Sequence, residues 1–236
     1  MTIEVLFPEV CNLYGDLANI RYLKESYKDF NIINTKLTDE PYFLHNKPDL
    51  IYMGTVTEHN QEIVIDTLKK YKKRIEELIK DNVHFLITGN ALEVFGKEIL
   101  CEDGRRIKCL GIYDTIAKRN MMNRYNCLYV GKFKGIYIVG FKSQFTHSYA
   151  GTKLTPLFKT IRSCGLNPGI MEEGIKINNF MATYVIGPLL ILNPKFTKWL
   201  LEDLGIKKPT LAFEKEALDA YDYRLNDYMQ KKNIYY

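Results

Sequence analysis

A chain of 236 residues with 46% hydrophobic and 26% charged residues has the material for a sizeable core, which excludes an intrinsically disordered protein. The formal net charge of +5 comes mainly from scattered lysines, densest at Lys69, Lys70, Lys72, Lys73 and Arg74 on one predicted helix. Without a recognisable binding module this cluster reads as a solvated helix face, so no nucleic acid is expected as a partner. The first apolar run, residues 3–7, carries Glu4 and lacks a basic lead-in, and no other run is long enough to span a membrane. Five cysteines without CxxC spacing, and four scattered histidines, give no metal-binding pattern. Reduced thiols in the cytoplasm are the expectation, and no metal or cofactor is expected.

The first half alternates strand-like runs with helical patterns. Residues 3–7 predict a strand, followed by a turn at 12–16 and a helix in which Ile20, Leu23 and Tyr27 recur at helical spacing. Strands follow at 31–37 and 49–53, then a long helix at 58–80 with the apolar stripe Ile63, Val64, Leu68, Tyr71, Ile75, Leu78 and Ile79. The next strand, 83–87, runs into Thr88-Gly89-Asn90 and a short helical run that ends before Gly96. This rhythm specifies a parallel sheet covered by helices on both faces. The second half reads differently. Strand-like runs at 108–115, 126–130, 135–141, 174–178 and 181–186 are joined by short turns, and are expected to extend the sheet or to form a mixed, antiparallel section. Helices at 195–204 and 213–231 finish the chain. No linker interrupts it, so residues 1–236 read as a single domain.

Open parallel sheets place their sites at the carboxyl ends of the strands. Two segments stand out there, Met53-Gly54-Thr55-Val56-Thr57 and Ile87-Thr88-Gly89-Asn90. The second has the form of a nucleophile elbow, in which a strand turns sharply into a helix and presents one side chain, here Thr88, beside backbone N–H donors.

The segment Asn12-Leu13-Tyr14-Gly15-Asp16-Leu17-Ala18-Asn19-Ile20 resembles the N-L-Y-x-D-x-G-N-I opening of the CobB/CobQ-type class I glutamine amidotransferases, and within them the glutaminase subunit of lipid II isoglutaminyl synthase. Further landmarks keep the family's order along nearly the whole chain. They are Asp49 to Gly54, Gln61, Ile87-Thr88-Gly89, Phe95-Gly96, Leu110 to Asp114, Asn123-Arg124, Gly140-Phe141, Thr183-Tyr184 and Gly187-Pro188. The resemblance implies a class I glutamine amidotransferase-like (flavodoxin-like) α/β fold, with a mostly parallel sheet, helices on both faces and a mixed second half. It also implies a synthetase partner that uses released ammonia, either Mur-ligase-like or of the cobyrinate-synthetase type.

The departures bear on the chemistry. The family's elbow is I-C-G-G, whose cysteine attacks the glutamine side-chain amide; Thr88 stands at that position. The family's histidine base in T-Y-x-H-G-P corresponds to Ile186, and its G-G-G oxyanion loop corresponds to Gly54-Thr55-Val56. The family's G-F-E-N-H-G has become Gly140-Phe141-Lys142-Ser143-Gln144-Phe145, exchanging an acid for a base. A threonine hydroxyl does not ionise near neutrality without a strong base, and isoleucine has no lone pair to offer. Loss of a nucleophile or base costs about 10⁶ in turnover in a protease triad. The expectation is a non-catalytic amidotransferase-like subunit that binds or regulates an ATP-dependent, amide-forming partner. The rival is a glutaminase or amide hydrolase built on Thr88 and another base.

His59 or His147 is the candidate for that base, although both read first as solvent-facing loop residues; His84 reads as a packed core histidine, and Cys11 and Cys164 as ordinary thiols. A residual site for a small amide or carboxylate ligand is expected from Gly54, Thr55, Gly89 and Asn90, with Arg124 implied by the resemblance and Lys142 as an added cation.

Overall fold

The computed structural model describes residues 1–235. In chain order the elements are β1 (Thr2–Leu6), α1 (Ala18–Ser26), β2 (Asn31–Thr35), β3 (Leu50–Met53), α2 (Glu58–Lys69), α3 (Lys72–Lys80), β4 (His84–Thr88) and α4 (Ala91–Phe95). There follow β5 (Glu98–Leu100), β6 (Arg106–Lys108), β7 (Thr115–Arg119), β8 (Tyr125–Phe133), β9 (Ile136–Gln144), β10 (Thr146–Ala150) and β11 (Phe158–Arg162). The last are β12 (Glu172–Glu173), β13 (Ile175–Ile177), β14 (Phe180–Thr183), α5 (Leu189–Leu192), α6 (Pro194–Asp203) and α7 (Glu214–Gln230).

The central sheet has six strands in the order β13-β14-β4-β3-β1-β2. All its pairs are parallel except β13 with β14. Strands β3 and β4 are buried along their whole length, as the apolar runs Leu50–Met53 and Phe85–Ile87 require of a sheet covered on both sides. Their side chains divide by alternation. Ile51, Met53, Phe85 and Ile87 face the core made with α2, α3 and α4, whereas Leu50, Tyr52 and Leu86 face the core made with α1, α5 and α6. The second half supplies one small sheet to each side. The mixed sheet β10-β7-β5-β6 joins the first core through Ile99 and Ala117, and the antiparallel sheet β12-β11-β8-β9 joins the second through Tyr129, Phe133, Ile138 and Phe158.

Four sequence expectations are corrected. The helix expected over 58–80 is two, broken at Lys70 and Tyr71, where Tyr71 leaves helical geometry (φ −101°, ψ 5°) and sets its ring edge-on to Phe43 at 5.9 Å. Ile63, assigned to its apolar stripe, is 42% exposed. Of the strand expected over 108–115, residues 109–114 form a loop between β6 and β7. The amides of Leu110, Gly111 and Ile112 donate to the carbonyls of Val94, Gly96 and Phe95, satisfying the orphan acceptors where α4 ends instead of joining a sheet. The strand expected over 181–186 stops at Thr183, because the Tyr184 amide turns to the Glu173 carboxylate at 2.8 Å and the Val185 amide to Thr183 Oγ1 at 3.0 Å.

Candidate functional site

Thr88 is the last residue of β4, at the carboxyl edge of the sheet, and the chain turns there through Gly89 at φ +64° into α4. Side-chain alternation puts Thr88 on the same face as Leu86 and Tyr52, and its hydroxyl is fully buried. It donates to Asp16 Oδ2 at 2.5 Å and lies 3.2 Å from the Tyr52 hydroxyl. Asp16 is the hub of the arrangement. The same Oδ2 accepts from the Thr55 amide at 3.0 Å and the Thr55 hydroxyl at 2.9 Å, while Oδ1 accepts from Asn19 Nδ2 at 2.9 Å. Tyr52 donates to the Asp16 carbonyl at 2.8 Å. Burial raises the Asp16 carboxyl above its ordinary pKa, against the lowering effect of the Thr88, Thr55 and Tyr52 contacts.

The loop after β3 is seated directly on this turn. A Cβ on Gly54 would lie 2.6 Å from the Cys11 carbonyl oxygen and 3.2 Å from Asp16 Oδ2, so only glycine fits there. A Cβ on Gly89 would collide with the side chain of Thr55. Thr55 therefore covers the backbone of the elbow, where an incoming carbonyl oxygen would have to approach its N–H groups. Asn90 does not cap α4; its amide group clamps both main-chain atoms of Val56, accepting from N at 3.0 Å and donating to O at 2.7 Å. Gly54, Thr55, Thr88, Gly89 and Asn90 thus come together as the sequence suggested, in a closed hydrogen-bonded plug.

The remaining candidates fall elsewhere. Ile186 lies three residues past Thr183, the register partner of Thr88; it is buried, and its amide and carbonyl pair with those of Phe141 at 3.0 Å each. Lys142, expected to add a cation to a ligand site, is instead fully buried against Glu173, and also donates to the carbonyls of Cys164 at 2.9 Å and Gly165 at 2.7 Å. These contacts engage an ammonium that has only three protons to give. Arg124 is exposed, with its guanidinium over the Phe145 ring at 4.4 Å. Among the described residues the partners of the Thr88 hydroxyl are Asp16 and Tyr52, so neither proposed histidine reaches it. His59 is exposed in the first turn of α2, as expected of a surface histidine. His147, expected in a loop, is half-buried on β10 with its ring edge-on to Tyr125 at 5.1 Å. His84 is a core histidine, paired with Asp203 at 3.0 Å.

Sequence reasoning missed Asp16, Tyr52, Asn19 and Glu93 as site residues. The signal for Asp16 and Asn19 was present in the opening segment, and a tyrosine on a central strand demands a partner for its hydroxyl. Glu93, on α4, is buried between Gln61 Nε2 at 3.0 Å and the Tyr184 hydroxyl at 3.1 Å, and burial raises its pKa to about 7.

A mostly parallel sheet with helices on both faces and an elbow at the end of a central strand defines the class I glutamine amidotransferase fold. The chain belongs to the CobB/CobQ-like glutamine amidotransferase family, whose domain profile matches residues 2–193. It is 28% identical over 225 residues to the GatD subunit of lipid II isoglutaminyl synthase (glutamine-hydrolyzing) from Staphylococcus aureus, covering 93% of this chain and 90% of that protein. To the same subunit from Streptococcus pneumoniae it is 24% identical over 204 residues, covering 82% of this chain and 76% of the relative. Among solved structures, a glutamine amidotransferase superposes with a TM-score of 0.55 at 12% identity over 86% of this chain and 99% of its own. A Thermotoga maritima glutamine amidotransferase does so with a TM-score of 0.52 at 12% identity over 98% of this chain and 99% of its own.

Proposed function

We propose that residues 1–236 act as one non-catalytic, cytoplasmic glutamine amidotransferase-like subunit that binds or regulates an ATP-dependent, amide-forming partner. The observation that carries this reading is the burial of the Thr88 hydroxyl against Asp16, with Thr55 packed over the turn that follows. Glutaminase chemistry at the elbow needs an ionised nucleophile, a base to make it and room for an oxyanion. At the corresponding positions the chain offers a buried alcohol, the aliphatic Ile186 and a filled turn. The two GatD relatives favour a Mur-ligase-like partner over a cobyrinate-type synthetase.

The test has two arms. Purified protein given glutamine is expected to release no more glutamate than the Thr88→Ala variant, and affinity capture is expected to retain a Mur-ligase-like protein when the two are co-expressed. Release that Thr88→Ala abolishes would instead establish an active amide hydrolase that uses Thr88. Failure to retain the ligase would remove the partner from the reading.

A further inference from the structure

The two edges of the central sheet are built differently. At one edge, β13 is three residues long with a lysine at its centre, and the Lys176 amide, directed away from β14, donates to the Thr155 carbonyl at 2.9 Å. A short strand, a charge and a covering loop are the devices by which natural sheets protect an edge. At the other edge, β2 runs for five residues, Asn31 to Thr35, without a charge, a proline or a break in register. Its ladder with β1 uses Asn31, whose amide donates to the Met1 carbonyl at 2.9 Å, and Thr35, whose carbonyl accepts from the Phe7 amide at 2.7 Å. Successive strand residues direct their N–H and C=O groups to opposite sides. Ile32 and Asn34 therefore present theirs outward, where the sheet has no further strand and no other described residue meets them.

A hollow of about 500 Å³ lies along this open edge. Ile32 pairs in register with Ile3 and Asn34 with Val5, so both side chains lie on the face of the sheet that α1 covers. Ile20 and Ile32 contribute to the floor of the hollow, and Arg21, Lys24, Glu25 and Asn34 to its rim. The charges on the rim do not cancel. Glu25 is paired with Lys28, and Lys24 Nζ donates to the carbonyls of Lys28 and Phe30 at 2.6 Å each. Arg21 is exposed and meets no acid among the described residues, which leaves the rim basic.

We propose that β2 is a docking edge for an extended segment of a partner protein, which adds to the six-stranded sheet and carries an apolar and an acidic side chain two positions apart. The backbone of the segment pairs with the open groups of Ile32 and Asn34, and its alternate side chains enter the hollow, the apolar one against Ile20 and Ile32, the acidic one at Arg21. A helix has no free backbone groups along its length to satisfy such an edge. A second copy of this chain fits poorly: antiparallel pairing of β2 with itself sets two α1 helices on the same face and turns Arg21 and Lys24 toward their own counterparts. The inference rests on the partner-binding reading for the existence of a partner, and uses no residue of the elbow.

The probe is a capped pentapeptide with valine and glutamate two positions apart among threonines, titrated into the full-length protein and followed by amide chemical shifts. The control peptide has lysine in place of glutamate. Saturable binding that shifts the Ile32 and Asn34 amides but not that of Lys176 is expected, with the lysine peptide about tenfold weaker. Asn34→Pro removes an outward donor and leaves the ladder with β1 whole, and it is expected to weaken the peptide about tenfold, as is Arg21→Glu. If Asn34→Pro fails to fold by circular dichroism, the charge reversal on the exposed face of α1 decides. No saturable binding, shifts away from β2, equal binding of the lysine peptide or indifference to the substitutions overturns the inference, as does a dimer in light scattering that Asn34→Pro dissociates. Ligase capture on the same samples reads the earlier proposal separately. A retained ligase without peptide binding removes the docking edge and keeps the partner, whereas peptide binding without a retained ligase keeps the edge and removes that partner.

Discussion

Lys142 of β9 and Glu173 of β12 face each other as an ion pair with no solvent-accessible surface on either side chain. Each is tied into its surroundings. Lys142 also meets two main-chain carbonyls, and Glu173 Oε1 accepts from Thr183 Oγ1 at 2.9 Å and from the Tyr184 amide at 2.8 Å. Removing one member strands the other charge. Lys142→Met is expected to destabilise the protein by about 3–5 kcal/mol, and Lys142→Met combined with Glu173→Leu by clearly less, because the second change removes the orphan carboxylate. Guanidinium unfolding midpoints for the single and double variants check this; equal losses contradict it.

Glu93 makes stability depend on pH in a defined direction. Burial raises its pKa from 4.5 to about 7 in the native protein, so the folded chain holds this proton where the unfolded chain releases it. The stabilisation is fully present below about 4.5 and is lost as pH rises through about 7. That interval corresponds to about 3 kcal/mol. Glu93→Gln is expected to flatten this part of the pH profile. Urea unfolding of both proteins between pH 4.5 and 8 measures the difference, and parallel profiles would be incompatible with it.

Gly89 and Thr55 are predicted to be energetically coupled. Gly89→Ala suffers twice, from φ +64° and from collision with the Thr55 side chain, and is expected to cost about 2–3 kcal/mol. In a Thr55→Gly background the collision is gone and only the backbone strain of about 1 kcal/mol remains. A double-mutant cycle by thermal unfolding is expected to show a coupling of about 1–2 kcal/mol, whereas strict additivity would place the two groups out of contact.

Thr88→Cys alone is expected to produce no glutaminase. The thiol would be buried beside the Asp16 carboxyl, and burial keeps it protonated above the ordinary cysteine range near 8.5. Peptide-level mass spectrometry after iodoacetamide treatment at pH 7 is expected to find position 88 unmodified, with no added glutamate release. Rapid alkylation would mean that the elbow is open to solvent.

Much of this was legible in the sequence because period and composition carry it. The alternation of runs from residue 3 to residue 96 specified the parallel sheet and its helices, and the elbow was placed by a strand meeting Gly89. What escaped depends on pairing across distance. Short strands such as β5 and β12 have too few residues to show a period, and Leu110 to Tyr113 looked like a strand because an apolar segment capping α4 has the same composition as one in a sheet. Lys142 was read from its charge alone, and its partner Glu173 lies 31 positions away. The hub at Asp16 was recognised as a landmark but not as a site, since its meaning arises only where Thr55 and Thr88 converge on one oxygen.

That convergence makes the elbow a single joint of the fold. One Asp16 oxygen receives Thr88 and two groups of Thr55, so the end of β4, the loop after β3 and the segment before α1 are fastened at one atom. A substitution at 16, 55 or 88 therefore disturbs three segments of the chain together.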